Sequence, residues 1–162
     1  MRSKMNPPVP TADRDAIIET IHTFYRSVDT KNQSLMRSVT TSEITLDGTL
    51  FVDLGIGMSE PIVGQDILVP ALAASLTNIT TMHNVGNFSV QLHGDRANVS
   101  YYVQAYHYKK LEEPRENPRN VYLMGNHLFG DIVKEKGEWK FEHIKVAPFF
   151  QSGNIAVMGL GN

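Results

Sequence analysis

The run RANVSYYVQAYHY, residues 96–108, alternates so regularly that a long β-strand is the reading it leaves open. Side chains in a strand point to opposite faces in turn, so Ala97, Val99, Tyr101, Val103, Ala105 and His107 share one side. That side is apolar for most of its length and ends in an imidazole. A histidine closing a buried stripe is either a satisfied core residue or a working group. Tyr101, on the same stripe, is the phenol best placed to polarise a carbonyl, and its bland alternative is plain core.

Around this strand the sequence predicts helices first and an antiparallel meander afterwards. Ile17, Ile18, Ile21, Phe24, Tyr25 and Val28 recur at helical spacing after a possible cap at Thr11. A short helix is expected over 34–39, a strand over 44–52 with a bend at Asp47-Gly48, and a helix over 65–76 containing Pro70. Residues 82–92, 96–108, 121–135 and 138–146 read as four strands. His93-Gly94-Asp95 and Lys136-Gly137 supply two of the turns. This order defines an α+β fold, in which a curved antiparallel sheet wrapped around N-terminal helices encloses one apolar pocket. Residues 1–10 are expected to form a flexible arm and 11–162 a single domain, with a charged insert at 109–120.

Composition excludes several functions. There is no cysteine in the 162 residues, which removes disulfides, thiolate metal sites and cysteine nucleophiles. A net charge of −2 without a basic stripe argues against nucleic acid. No apolar run reaches membrane-spanning length, and MRSKMNPPVP lacks the apolar core of a signal peptide. A cytoplasmic protein is therefore expected, and the N-x-S/T patterns at Asn32, Asn78, Asn87 and Asn98 read as chance matches. Neither GxSxG, a P-loop, GxGxxG nor HExxH occurs, so no cofactor and no metal is expected.

Four polar groups need an account. Asp29 continues the inner stripe of the first helix to its C-terminal end, where the helix dipole disfavours a carboxylate. A pair with His107 would offset that cost and orient the imidazole; the alternative is a solvated carboxylate at a fraying end. His83 opens the strand that follows the third helix, and by itself reads as exposed. Asp131 shares a strand face with His127, Phe129 and Val133, so a paired pocket role competes with an edge-strand charge. His22, His93 and His143 fit a helix surface, a turn and an outer strand face.

The segments YRSVDTKNQSLMRSV, TTMHNVGNFSVQLHGDRANVSYYVQAYHY and GNHLFGDIVKEKGEWKF, in this order and spacing, resemble the SnoaL-like and scytalone-dehydratase-like members of the nuclear-transport-factor-2-like superfamily. The resemblance covers most of residues 14–146 and implies a cone-shaped α+β barrel. It implies that Asp29 and His107 form the family's Asp–His pair, that His83 is a second active-site histidine, and that Asp131 is a polar pocket residue. It further implies substrate contacts from Tyr25, Tyr101, Phe129, Phe149 and Phe150, with the segment 148–162 closing over the ligand. Val28 and Gly48 stand where scytalone dehydratase has two carbonyl-orienting tyrosines, and Phe129 where it has a small polar residue, which argues against scytalone as substrate.

The expected activity is that of a cofactor-independent lyase on a hydrophobic oxygenated small molecule, such as a polyketide or terpenoid intermediate. His107 would be the base and His83 the acid. The rivals are a cyclase or isomerase using one carboxylate as base, and a non-enzymatic ligand-binding module. A homo-oligomer, dimer or trimer, is the expected assembly.

Overall fold

The computed structural model describes residues 10–109 and 118–159. Helix α1 (Thr11–Thr30) is followed by α2 (Gln33–Ser38), strand β1 (Thr40–Asp47), the short strand β2 (Ile62–Val63) and α3 (Gln65–Ser75). Four long strands come next: β3 (Ile79–His93), β4 (Arg96–Lys109), β5 (Val121–Glu135) and β6 (Glu138–Gly153). They form one curved six-stranded sheet in the order β2-β1-β6-β5-β4-β3, with the helices on its concave side. The α+β architecture expected from the sequence is the observed one. The sheet is not wholly antiparallel, because β1 runs parallel to β6.

Several expected boundaries shift: β3 begins at Ile79 and β6 runs on to Gly153, and three others move for local reasons. Thr11 is not a cap but the first helical residue, and Pro10 occupies the cap position, where its missing N–H costs nothing. Strand β1 begins at Thr40 rather than Ile44 and stops at Asp47, earlier than expected. The Asp47 carboxylate accepts the Thr49 N–H at 3.1 Å and its hydroxyl at 2.6 Å, turning the chain into a 3-10 helix over Thr49–Leu54. The expected arm, apart from Pro10, and most of the charged insert lie outside the described residues.

The core follows the stripes read from the sequence. Ile17, Ile21, Phe24 and Val28 of α1 are buried against the inner residues of β4, β5 and β6, among them Tyr101, Tyr122, Phe141 and Ile144. Burial of apolar surface at this scale is the main favourable term in the fold. A bulge between Gly86 and Ser89 resets the alternation of β3, with Asn87 at φ 54°. His83 and Val85 therefore share the inner face with Phe88 and Val90, although these pairs differ in parity.

Beyond β6 the chain reverses at Gly153 into a further 3-10 helix, Ile155–Met158, which buries Val157 and brings Met158 to the cavity wall. Gly153 has φ 93°, and a Cβ there would run into the Val121 carbonyl oxygen, which already accepts the Asn154 N–H. Gly153→Ala is expected to destabilise the protein by more than about 1 kcal/mol in urea unfolding. It should also speed amide exchange at Val157, whose N–H is bonded to the Asn154 carbonyl. An unchanged exchange rate would contradict the docking of this segment through Gly153.

Candidate active site

A cavity of about 540 Å³ lies between α1, α3 and the concave sheet. Its wall is mostly apolar: Phe24 and Val28 from α1, Leu72 and Leu76 from the α3 region, and Val103, Leu128 and Ile144 from the sheet. Polar groups are few. His83, His107 and Asn126 face in from three adjacent strands. No lysine or arginine lines it among the described residues.

Asp29 meets His83, not His107. The Asp29 Oδ1 atom is 2.6 Å from His83 Nδ1 and accepts the Thr81 hydroxyl at 2.7 Å, while Oδ2 accepts the His83 backbone N–H at 3.1 Å. The expected Asp29–His107 pair is thus corrected: α1 ends over β3, so its terminal carboxylate reaches the first histidine and its neighbour Thr81. Burial works against the charge of Asp29, but the His83 bond and charge, the Thr81 hydroxyl and the backbone N–H outweigh it. The net effect holds the carboxyl below its ordinary value. An ionised Asp29 accepts the Nδ1 proton of His83, which leaves Nε2 as the atom free for chemistry.

His107 has a different environment. It is 5 % exposed, and its Nδ1 donates to the Tyr122 carbonyl at 3.1 Å. Burial pushes the imidazole down to about 4; the carbonyl bond and the charge of Asp29 act upward without reversing this, and the charge of His83 adds to the depression. His107 is therefore neutral near pH 7, with Nε2 carrying a lone pair. The two rings meet edge to face with centroids 6.1 Å apart. Two identical side chains have been made chemically unlike by their partners, one backed by a carboxylate and one by a carbonyl.

Asn126 is the polar residue that sequence reading missed. It is 6 % exposed, lines the cavity, and its Oδ1 has no hydrogen-bond partner. A buried acceptor left unmatched is costly unless a ligand or water meets it. The signal was available: Asn126 alternates with Tyr122, Met124 and Leu128, the buried face of β5.

Of the other expected site residues, Tyr25 lines the cavity and the rest fall outside it. Asp131 is on the convex face, because β5 pairs it with Asn98, which lies on the side of β4 opposite the His107 stripe. There it accepts the Asn98 amide at 2.7 Å and lies 3.7 Å from His143. Phe129 shares that face at 44 % exposure, and Phe149 and Phe150 are exposed along β6. Phe129, Phe149 and Tyr102 surround His127 there. Tyr101 is wholly buried behind the cavity, whereas Tyr25, Val28 and Gly48 do line it. Of the C-terminal segment, Met158 reaches the wall and the two phenylalanines do not. Among the described residues no cluster of three or more His, Asp or Glu side chains could hold a metal. Nor is any described helix long and apolar enough to cross a membrane.

The fold and this constellation of groups define a class, and comparison with known proteins gives the family. The model of the SnoaL-like domain matches residues 10–145, and the chain belongs to that family. A curated relative, terrestric acid biosynthesis cluster protein E of Penicillium crustosum, is 25 % identical over 154 residues, covering 91 % of this chain and 90 % of that protein. The crystal structure of Kfla4162 from Kribbella flavida superposes with a TM-score of 0.80 at 24 % identity, over 91 % of this chain and 97 % of that one. A candidate scytalone dehydratase from Novosphingobium aromaticivorans gives 0.72 at 17 % identity, over 87 % of each chain. A type 2 hexachlorocyclohexane dehydrochlorinase gives 0.69 at 16 %, over 88 % of each. These structures share the nuclear-transport-factor-2-like cone.

The depressed value of His107 carries a sign. Between its ordinary value of 6.5 and about 4 the unfolded chain binds a proton that the folded protein does not, so stability falls as pH drops through that window. The loss reaches roughly 3 kcal/mol once both states are protonated. Asp29, also depressed, contributes stability that is lost only at lower pH, below the ordinary carboxylate value of 3.8. An NMR titration should give a His107 midpoint near 4 with the proton on Nδ1 throughout; a midpoint at 6.5 would contradict the buried, neutral assignment.

Proposed function

We propose that the protein is a cofactor-independent lyase that removes water from a hydrophobic, oxygenated small molecule of secondary metabolism. The observation that carries this reading is the pair of unlike histidines, 6.1 Å apart, facing one apolar cavity large enough for a ligand of two or three rings. The curated relative's place in a terrestric acid biosynthesis cluster supports the substrate class, and the dehydratase- and dehydrochlorinase-type neighbours support elimination.

The pairing seen in the structure favours a reversal of the roles expected from the sequence. His83, backed by Asp29, is the better proton acceptor, because the carboxylate stabilises the imidazolium that forms. His83 Nε2 takes a proton from the carbon beside a carbonyl. The electron pair moves into a new C–C double bond, the C–O bond on the next carbon breaks, and the departing oxygen recovers the proton from His83 as water. His107 Nε2 and Asn126 Oδ1 accept hydrogen bonds from the substrate's hydroxyl groups and fix their orientation. Asp131 has no part in this scheme.

A cyclase or isomerase would use the same proton acceptor and return the proton to a different atom; nothing in the cavity favours it over elimination. A pure binding module fits less well, since the cavity is not filled by side chains and its polar groups converge. The exposed rings of Tyr102, Phe129, Phe149 and Phe150 on the convex face make self-association the proposed assembly, and the mass in solution tests it.

Comparing metabolites with and without the gene identifies the substrate. On that substrate His83→Ala is expected to slow turnover by about 10²–10⁴-fold. Asp131→Asn should leave it unchanged, and a larger loss from Asp131→Asn than from His83→Ala would overturn the assignment.

A further inference from the structure

Asp29 is held by one bond more than its orientation requires. The His83 ring meets Oδ1 at 2.6 Å and the His83 backbone N–H meets Oδ2 at 3.1 Å, so one residue already fixes both oxygens of the carboxylate. The Thr81 hydroxyl adds a third bond, 2.7 Å from Oδ1, the same atom that meets the ring. Its direction is fixed, because an ionised carboxylate only accepts. Thr81 is 7 % exposed and stands two residues before His83 in β3, so strand alternation turns both side chains towards the end of α1.

A hydrogen bond to a charged group favours the state in which that charge is least compensated. With His83 neutral, the site carries the bare charge of Asp29. With His83 protonated, the same carboxylate is one half of an ion pair, and a hydroxyl bound to it contributes less. The Thr81 bond therefore favours neutral His83 over its imidazolium. The other groups around the His83 ring do not supply this effect. Tyr25 of α1 and His107 of β4 have ring centroids 5.2 and 6.1 Å away. Burial, with a neighbouring phenol, raises Tyr25 well above its ordinary value, and His107 is neutral near pH 7. The α3 residues on the cavity wall are uncharged, Glu60 is the carboxylate on that wall, and Lys31 donates to the Asp29 backbone carbonyl at 3.2 Å.

We infer that Thr81 is a positioning residue of the proton-transfer site, whose hydroxyl weakens the hold of Asp29 on His83 so that the imidazole gives up the proton it has taken. The role rests on the reading above, in which His83 Nε2 removes a proton from carbon and then returns it to the departing oxygen. Those two transfers make opposite demands on one group. A stronger carboxylate helps the first and hinders the second, and a group serving both works best between the extremes. Asp29 supplies the base strength and Thr81 limits it, through a single shared oxygen. The pair Thr81 and His83 thus acts as a unit of β3, one residue carrying the proton and the other setting how firmly it is kept.

The test is an NMR titration of the imidazole nitrogens in the whole protein without substrate. Thr81→Val, which replaces the hydroxyl by a methyl group, is expected to raise the His83 midpoint by about half a unit to one unit above that of the wild type. Thr81→Ala should raise it likewise and gives the reading if the valine side chain disturbs the fold. Thr81→Ser keeps the hydroxyl and should leave the midpoint unmoved. His107 bonds the Tyr122 carbonyl instead and should titrate at about 4 in every variant, which marks the cavity as intact. A His83 midpoint that stays in place or falls when the hydroxyl is removed overturns the proposal, as does an equal rise in Thr81→Ser. Neither result touches the proton-transfer reading, which fails on the turnover of His83→Ala and not on this titration.

Discussion

The carboxylate of Asp29 sits where a negative charge is doubly disfavoured, at the C-terminal end of a helix and partly withdrawn from water. It is tolerated because three donors converge on it: the Thr81 hydroxyl, the His83 backbone N–H and the His83 ring. All three come from β3. The contact therefore does two things at once. It fixes the end of α1 against the sheet edge, and it decides which histidine acquires a carboxylate partner. Charge-assisted bonds of this kind are stronger than neutral ones, and each donor that bonds Asp29 is also withheld from competing geometries.

From that anchor the chemistry of the cavity follows by exclusion. The walls are apolar, so any group facing inward is either matched or perturbed. His83 is matched by Asp29. His107 is matched on one nitrogen by the Tyr122 carbonyl, which accepts a proton but offers no charge, so burial decides its state and keeps it neutral. Asn126 is unmatched on Oδ1. The three groups thus present an imidazole hydrogen-bonded to a carboxylate, a neutral imidazole and an unused amide oxygen.

How much of this could be read from the sequence depended on whether local pattern or register decided the matter. The inner stripe of β4 and the apolar stripe of α1 were legible, since alternation and helical spacing are properties of one segment. The face of β5 was not. Its outward side carries Leu123 and Phe129 and looks as apolar as the inward side, so the segment alone does not say that Asp131 faces out. Its cross-strand partner Asn98 does. The partner of Asp29 was illegible for a related reason. Side-chain period gives the face on which a histidine lies but not its height along the sheet. Thr81 is level with His107 and His83 with Ala105, so both rings lie near the helix end. Only the placement of α1 over β3 separates them.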